Sequence, residues 1–349
     1  MSDASSAPAP APAAEDACAL AIEGSYDTGL HVASIFIIMG LSLIGTMLPI
    51  VGTRGNWFKS GSNIFQGFKL FGAGVILATA LVHMLSPAQA SLANTCLPQA
   101  FQDYSSWGSA IALFGILFTH LIQITASTLL RKRKATKSIQ NSIKKDSTKT
   151  LEEGTCSAPA VTIQEQDPHD VHRHSHAHAE DAHVHSLLLD AEEKTLTTYI
   201  LEAGIASHSI IIGLTLGAAR EEFKSLLVAL CFHQFFEGLA LSTIILDAPH
   251  KRLTSILMVV FYSLSTPIGI ALGIAIHSSF NENAVASLIS MGILDALAAG
   301  ILLYDGLVNV IVPHFGGSGF KNAPSGQQVA QVVCLWFGAG VMAVIGRWA

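Results

Sequence analysis

Long apolar runs alternate with short polar breaks along most of the chain. Eight such runs can be drawn, at about 31–51, 64–85, 107–130, 196–218, 223–246, 254–277, 284–311 and 327–346. Each approaches the roughly 20 apolar residues that a bilayer-spanning helix needs. The seventh is the weakest, because Asp295, Asp305 and Asn309 interrupt it. The pattern predicts an all-α fold, a polytopic membrane protein with eight transmembrane helices embedded in the lipid bilayer. Small residues are dense in GFKLFGAGVILATA (67–80) and TPIGIALGIAI (266–276), which predicts close helix approach there. Pro49 and Pro267 lie inside runs, where each removes a helix hydrogen bond.

Composition sharpens this reading. Charged residues are 13% of the chain, against about 25% in soluble domains. They are also segregated: residues 131–194 hold 10 of the 19 Lys and Arg and 11 of the 25 Asp and Glu. The expected organisation is a disordered extracellular tail over 1–30, helices one to three over 31–130, a cytoplasmic His-rich variable loop over 131–194, and helices four to eight over 195–349. The Ala/Pro-rich tail lacks the basic and apolar regions of a signal peptide. The loop is polar and without apolar periodicity, so it is expected to be largely disordered. Lys and Arg cluster after runs one, three, five and seven, whereas 86–106 and 278–283 have none. That alternation puts both termini outside the cytoplasm and 131–194 inside it; Arg220 and Lys224 run against it. On the same argument Cys18 and Cys96 share the oxidising side and are expected to form a disulfide. Cys231 and Cys334 read as small packing residues.

The chemistry lies in runs four and five. LEAGIASHSIIIGLTLGAA carries His208 and Ser209, and LLVALCFHQFFEGLALSTIIL carries His233, Gln234 and Glu237. A carboxylate at the bilayer centre costs roughly 2.5–3.5 kcal/mol on insertion scales, so such a group faces a protein interior and pairs with something. His233 and Glu237 are four apart and share a helix face. If runs four and five pack antiparallel, His208, His233 and Glu237 reach similar depth and supply three ligands, with Ser209, Gln234 or water completing the shell. Imidazole plus carboxylate suits a borderline divalent cation such as Zn²⁺. The residues alone therefore read as a membrane protein that moves a divalent transition metal. Ser209 taken singly also fits a hydroxyl bonded to its own helix, and His83 reads first as a packed, hydrogen-bonded side chain. Asp295 and Asp305 are either pathway groups or partners of buried polar groups. In the loop, HDVHRHSHAHAEDAHVH places His169, His172, His174, His176, His178, His183 and His185 together, a composition that binds metal weakly.

With these motifs in view the chain resembles the ZIP family, the Zrt/Irt-like metal transporters, and is most similar to the fungal and plant zinc/iron-uptake branch. The likeness rests on His208-Ser209 with Gly213, on His233-Gln234-x-x-Glu237-Gly238, and on a His-rich segment after the third run. It implies a metal site between helices four and five, and two rigid parts sliding to give alternating access. It implies uptake of Zn²⁺, and of Fe²⁺, into the cytoplasm across the plasma membrane, by a homodimer. Many members carry a second carboxylate where this chain has Ile212, which argues here for one central metal with Glu237 as its main carboxylate. No cofactor is implied beyond Zn²⁺ as transported substrate, no enzymatic activity, and no nucleic acid partner.

Two other classes fit parts of this pattern. A cation-diffusion-facilitator exporter usually has six spans and a His-rich loop after the fourth, which the eight runs disfavour. An intramembrane zinc hydrolase needs a metal-bound water and a general base. Glu237 could serve as that base, although there is no HExxH.

Overall fold

A computed structural model of the chain describes Cys18 and residues 25–54, 62–152, 171–220 and 223–348, with most side chains in 131–152 and 171–193 outside the description. Every regular element among the described residues is a helix. Eight helices are long and apolar enough to cross a membrane: Thr28–Thr53, Asn63–Leu92, Trp107–Leu130, Lys194–Ala218, Phe223–Asp247, Arg252–Ile276, Val285–Gly316 and Ser325–Ile345. We number them spans one to eight. Their outward faces carry large apolar side chains, such as Phe36, Leu121, Phe261 and Trp336. Exposed apolar surface on this scale is a lipid-facing belt and fits no water-soluble form.

One expectation is corrected by the backbone. The segment between spans three and four was read as largely without regular structure. Instead the helix of span three runs from Trp107 to Glu152, and that of span four begins at Val171. Extending an existing helix avoids the cost of nucleation, and neither 131–152 nor 171–193 contains Gly or Pro. The chain divides into two compact units, His120–Thr197 and Met1–Thr119 with Thr198–Ala349. In the first, Gln123 Nε2 donates to Thr197 Oγ1 at 3.3 Å. The second holds every side chain of the candidate site.

In that larger unit span one packs against spans five and six. Span two packs against spans eight and five, and span seven against the second half of span two. The small-residue stretches do the expected work. A Cβ on Gly213 would overlap the Thr266 carbonyl, and one on Gly269 would overlap the Ile210 carbonyl. Spans four and six therefore meet backbone to backbone, as glycine alone allows. Ile76, Ala240, Tyr262, Ala298 and Met342 form the central apolar cluster.

Two π-helical turns interrupt the spans, Thr79–Leu85 in span two and Asp305–Ile311 in span seven. Each ends just before a proline, Pro87 or Pro313. The N–H groups of Ser86 and Val312 reach back five residues, to Leu81 and Leu307. A proline ring cannot extend the i→i−4 ladder, and the widened turn absorbs the shift in register.

Cys18 and Cys96 are joined in a disulfide. Asn281 Nδ2 donates to the Cys18 carbonyl at 3.1 Å, so Cys18 and the two loops free of Lys and Arg gather on one face. Near that face His31 is buried, with its ring nitrogens 2.7 Å from the Asp27 carbonyl and 2.9 Å from that of Ala219. Tyr26 stacks on it and donates to the Gly217 carbonyl. Burial pushes the Tyr26 phenol above its ordinary pKa, against the pull of Arg220. Lys69 Nζ meets Asp247 Oδ2 at 2.7 Å, tying span two to the last residue of span five.

Candidate metal site

His208, Ser209, His233, Gln234 and Glu237 are all buried, none more than 1% exposed. The local sequence places them. Span four is held against span six through Gly213 and Gly217, which fixes the face on which His208 and Ser209 lie. On span five Gly238 gives no room for a side chain, because Tyr262 Cε1 and Thr46 Cγ2 stand 3.0 and 3.2 Å from where a Cβ would be. The Tyr262 hydroxyl donates to the Gln234 carbonyl at 2.7 Å. The helix carrying His233 and Glu237 is thus braced from behind.

The spans bring the predicted donors together. The His208 and His233 rings lie 5.7 Å apart between centroids. His233 Nε2 is 3.6 Å from Glu237 Oε2, too far for a hydrogen bond. The donor atoms lack partners: His208 Nε2, Ser209 Oγ, His233 Nε2, both amide atoms of Gln234 and both oxygens of Glu237 are buried without one. Buried polar groups are nearly always satisfied, so seven orphans on two adjacent turns mark a place built for something else. Ser209 departs from its bland reading. Ser42, Ser263 and Ser265 bond back to their own helices, whereas Ser209 does not. As the side chains stand, no three His, Cys, Asp or Glu among the described residues are close enough to hold an ion.

Around this cluster the structure shows what the residues that the sequence left open touch. Asp295 is a partner of a buried polar group: its Oδ1 lies 3.1 Å from His208 Nδ1. A carboxylate there accepts the Nδ1 proton and leaves Nε2, facing the cluster, with its lone pair. His83 is packed as expected, with Nε2 on the Met342 carbonyl at 2.8 Å. Its ring also stands edge-on to His233, 4.9 Å between centroids. Asp305 accepts from Asn309 Nδ2 at 2.6 Å on its π turn. Ile212 packs against the apolar cluster of Ile38, Leu216 and Ile270. Sequence reasoning passed over Glu202, which is buried six residues before His208 with Oε1 unpartnered. Its signal was the one that revealed Glu237, a carboxylate inside an apolar run. In the loop, His169 lies outside the described residues, as do the side chains of His172, His174, His176, His178, His183 and His185.

Comparison with known proteins agrees with the motifs. The model of the ZIP zinc transporter family matches residues 28–346. Zinc transporter 5 of Oryza sativa subsp. japonica is 33% identical, over 98% of this chain and 94% of its own. Zinc-regulated transporter 1 of Saccharomyces cerevisiae is 31% identical, over 94% of this chain and 89% of its own. Fe(2+) transport protein 3, chloroplastic, of Arabidopsis thaliana is 32% identical, over 92% and 85%. The chain belongs to the ZIP zinc transporter family.

Proposed function

We propose that this protein takes up Zn²⁺, with Fe²⁺ as a second cargo, through a single central site formed by His208, His233 and Glu237 with help from Ser209 and Gln234. Family membership and relatives named for zinc and Fe(2+) transport support divalent metal uptake. They point neither to an exporter of the cation-diffusion-facilitator kind nor to a hydrolase. The observation that carries the site assignment is the set of seven orphaned polar atoms where spans four and five meet, six of which can coordinate a metal.

The chemistry follows from that set. Zn²⁺ binds imidazole nitrogen at about 2.0–2.1 Å and carboxylate oxygen at about 2.0–2.2 Å. Two donors around one tetrahedral ion are then about 3.4 Å apart. His233 Nε2 and Glu237 Oε2, at 3.6 Å, already stand near that separation. His208 turns its Nε2 lone pair inward, because Asp295 holds Nδ1. One anionic ligand and two neutral ones leave the ion with net positive charge and an open shell. Such an ion exchanges, as cargo must, and a closed tetrahedral site would trap it. The His208 and His233 rings, 5.7 Å apart between centroids, stand on either side of the place such an ion would take, and water or Ser209 would fill the remaining position. Access alternates as two rigid parts slide past each other, one of them carrying spans four and five.

The protein is an integral membrane protein. We place it in the plasma membrane with both termini outside, the His-rich segment in the cytoplasm, and two copies associated. The disulfide supports that orientation, since Cys18 and the loop after span two share a face.

The test is uptake of radiolabelled Zn²⁺ and Fe²⁺ by metal-starved cells expressing the protein. Wild type is expected to accumulate both. His208→Ala, His233→Ala and Glu237→Ala are expected to reach the membrane and accumulate neither. Normal uptake by a membrane-inserted Glu237→Ala protein would move the site elsewhere, and metal loss from cells would reverse the direction.

A further inference from the structure

Spans five and eight do not close against each other along one half of their length. Between them lies a groove of about 1000 Å³, at the upper end of the roughly 300–1,000 Å³ of small-molecule sites. On span five it runs from Ser225 to Phe236, and on span eight from Trp336 to Trp348. Its walls are almost wholly apolar, and their side chains point outward: Trp336 is 75% exposed, Phe337 64% and Phe232 55%. Gly340 sits in the floor, where an added Cβ would meet nothing within 4 Å.

We propose that this groove seats the acyl chain of one glycerophospholipid, with its phosphate held by Lys224 and Arg347. Length is the first argument. Ser225 and Phe236 are eleven residues apart, or about 16 Å at 1.5 Å per residue. That is about the thickness of one leaflet, half of the roughly 30 Å hydrocarbon core. The groove begins at the membrane edge and stops at its middle, so its occupant is a chain from one leaflet. Charge is the second argument. Lys224 and Arg347 directly precede the lining residues Ser225 and Trp348 at the mouth, and both are exposed. An ammonium and a guanidinium at headgroup depth attract phosphate, and Trp348 stands where an interfacial indole is favoured.

The seat also bears on transport. Phe232 and Phe236, on the span-five wall, directly precede His233 and Glu237 in the sequence. The opposite wall is span eight, which is locked to span two where Gly338 meets the backbone of Phe71. A lipid chain in this groove therefore touches both the helix that carries the site and the pair formed by spans two and eight.

The experiment is native mass spectrometry of the full chain, extracted from vesicles of phosphatidylcholine and phosphatidylglycerol in equal amounts. Wild type is expected to retain one phospholipid per chain. Gly340→Phe puts a ring into the groove from a position where an added Cβ meets nothing within 4 Å, and is expected to lose it, with helical content by circular dichroism unchanged. Lys224→Gln with Arg347→Gln is expected to lose phosphatidylglycerol in preference to phosphatidylcholine. Equal retention by wild type and Gly340→Phe overturns the proposal. So does a change from a larger assembly to single chains in Gly340→Phe, which would make the groove a contact between copies. Uptake by wild type is measured separately, so failure here leaves the transport reading intact.

Discussion

At the scale of single residues, the hand on His208 is Asp295. A carboxylate that fixes a ligand imidazole raises its basicity and sets its tautomer, and losing such a partner typically costs 10–100-fold, on that order, in metal affinity. Asp295→Asn keeps the shape and can still hydrogen-bond Nδ1, but it removes the charge. The variant is expected to transport zinc with an apparent affinity weakened by about tenfold and a smaller change in maximal rate. Uptake measured over a range of zinc concentrations checks this, and an unchanged half-saturation point would make Asp295 a packing group. The candidate ligand set stood out in the sequence because an imidazole or carboxylate in an apolar run has no cheap explanation. The Asp295 contact did not, since it joins positions 87 apart and no local pattern records which spans meet. Glu202 was as legible as Glu237 in principle. It lacked a neighbouring histidine to draw attention to it.

At the scale of elements, eight helices were readable because a bilayer imposes a length on them. The π turns were not, although Pro87 and Pro313 stand two residues beyond their ends as a signal. The polar helical extensions of spans three and four escaped notice because they lack an apolar stripe, the feature by which helices are recognised. The glycine contact between spans four and six was read correctly as close packing, and it can be tested as such. A side chain at Gly269 would collide with the Ile210 carbonyl, two residues from His208. Gly269→Leu is expected to push span four outward and destabilise the protein by about 1–3 kcal/mol. The checks are a lower melting temperature of the purified protein and loss of zinc uptake together. Gly40→Leu, at a position in span one where an added Cβ meets nothing within 4 Å, is the control and is expected to leave the melting temperature in place. If Gly269→Leu melts with wild type, the two spans tolerate separation and the close approach is not what holds His208.

At the scale of the whole molecule, two links lie outside the transport path. The Cys18–Cys96 bridge closes a loop with a sequence separation of 78, worth about 4.5 kcal/mol in the chain-entropy model. The helices stay formed when a membrane protein unfolds in lipid, so the measured loss should be smaller. Cys96→Ser is expected to lower the melting temperature and to abolish its sensitivity to reductant; equal reductant sensitivity in both proteins would mean the bridge does not form. The second link is the His-rich segment, which the sequence showed by composition alone and whose placement in the cytoplasm is part of our proposal. Its backbone is helical from Val171 and continues unbroken into the helix bearing His208. The assigned cargo donors all lie within spans, so the segment is not needed to carry an ion across. Its imidazoles, with unperturbed pKa values of about 6.5, are mainly neutral and able to bind metal at cytoplasmic pH. Zinc that has already entered is therefore the species they meet, and occupancy rises as the cell fills. We propose that metal bound there restrains the helix that holds His208. Deleting residues 169–185 is expected to leave the initial uptake rate at low zinc near that of wild type, and to blunt the fall in uptake at excess zinc. Initial rates and surface lifetime, with and without the segment at both concentrations, are the measurement. If a membrane-inserted deletion loses low-zinc uptake, the histidines belong to the transport path; if it answers excess zinc as wild type does, the segment senses nothing.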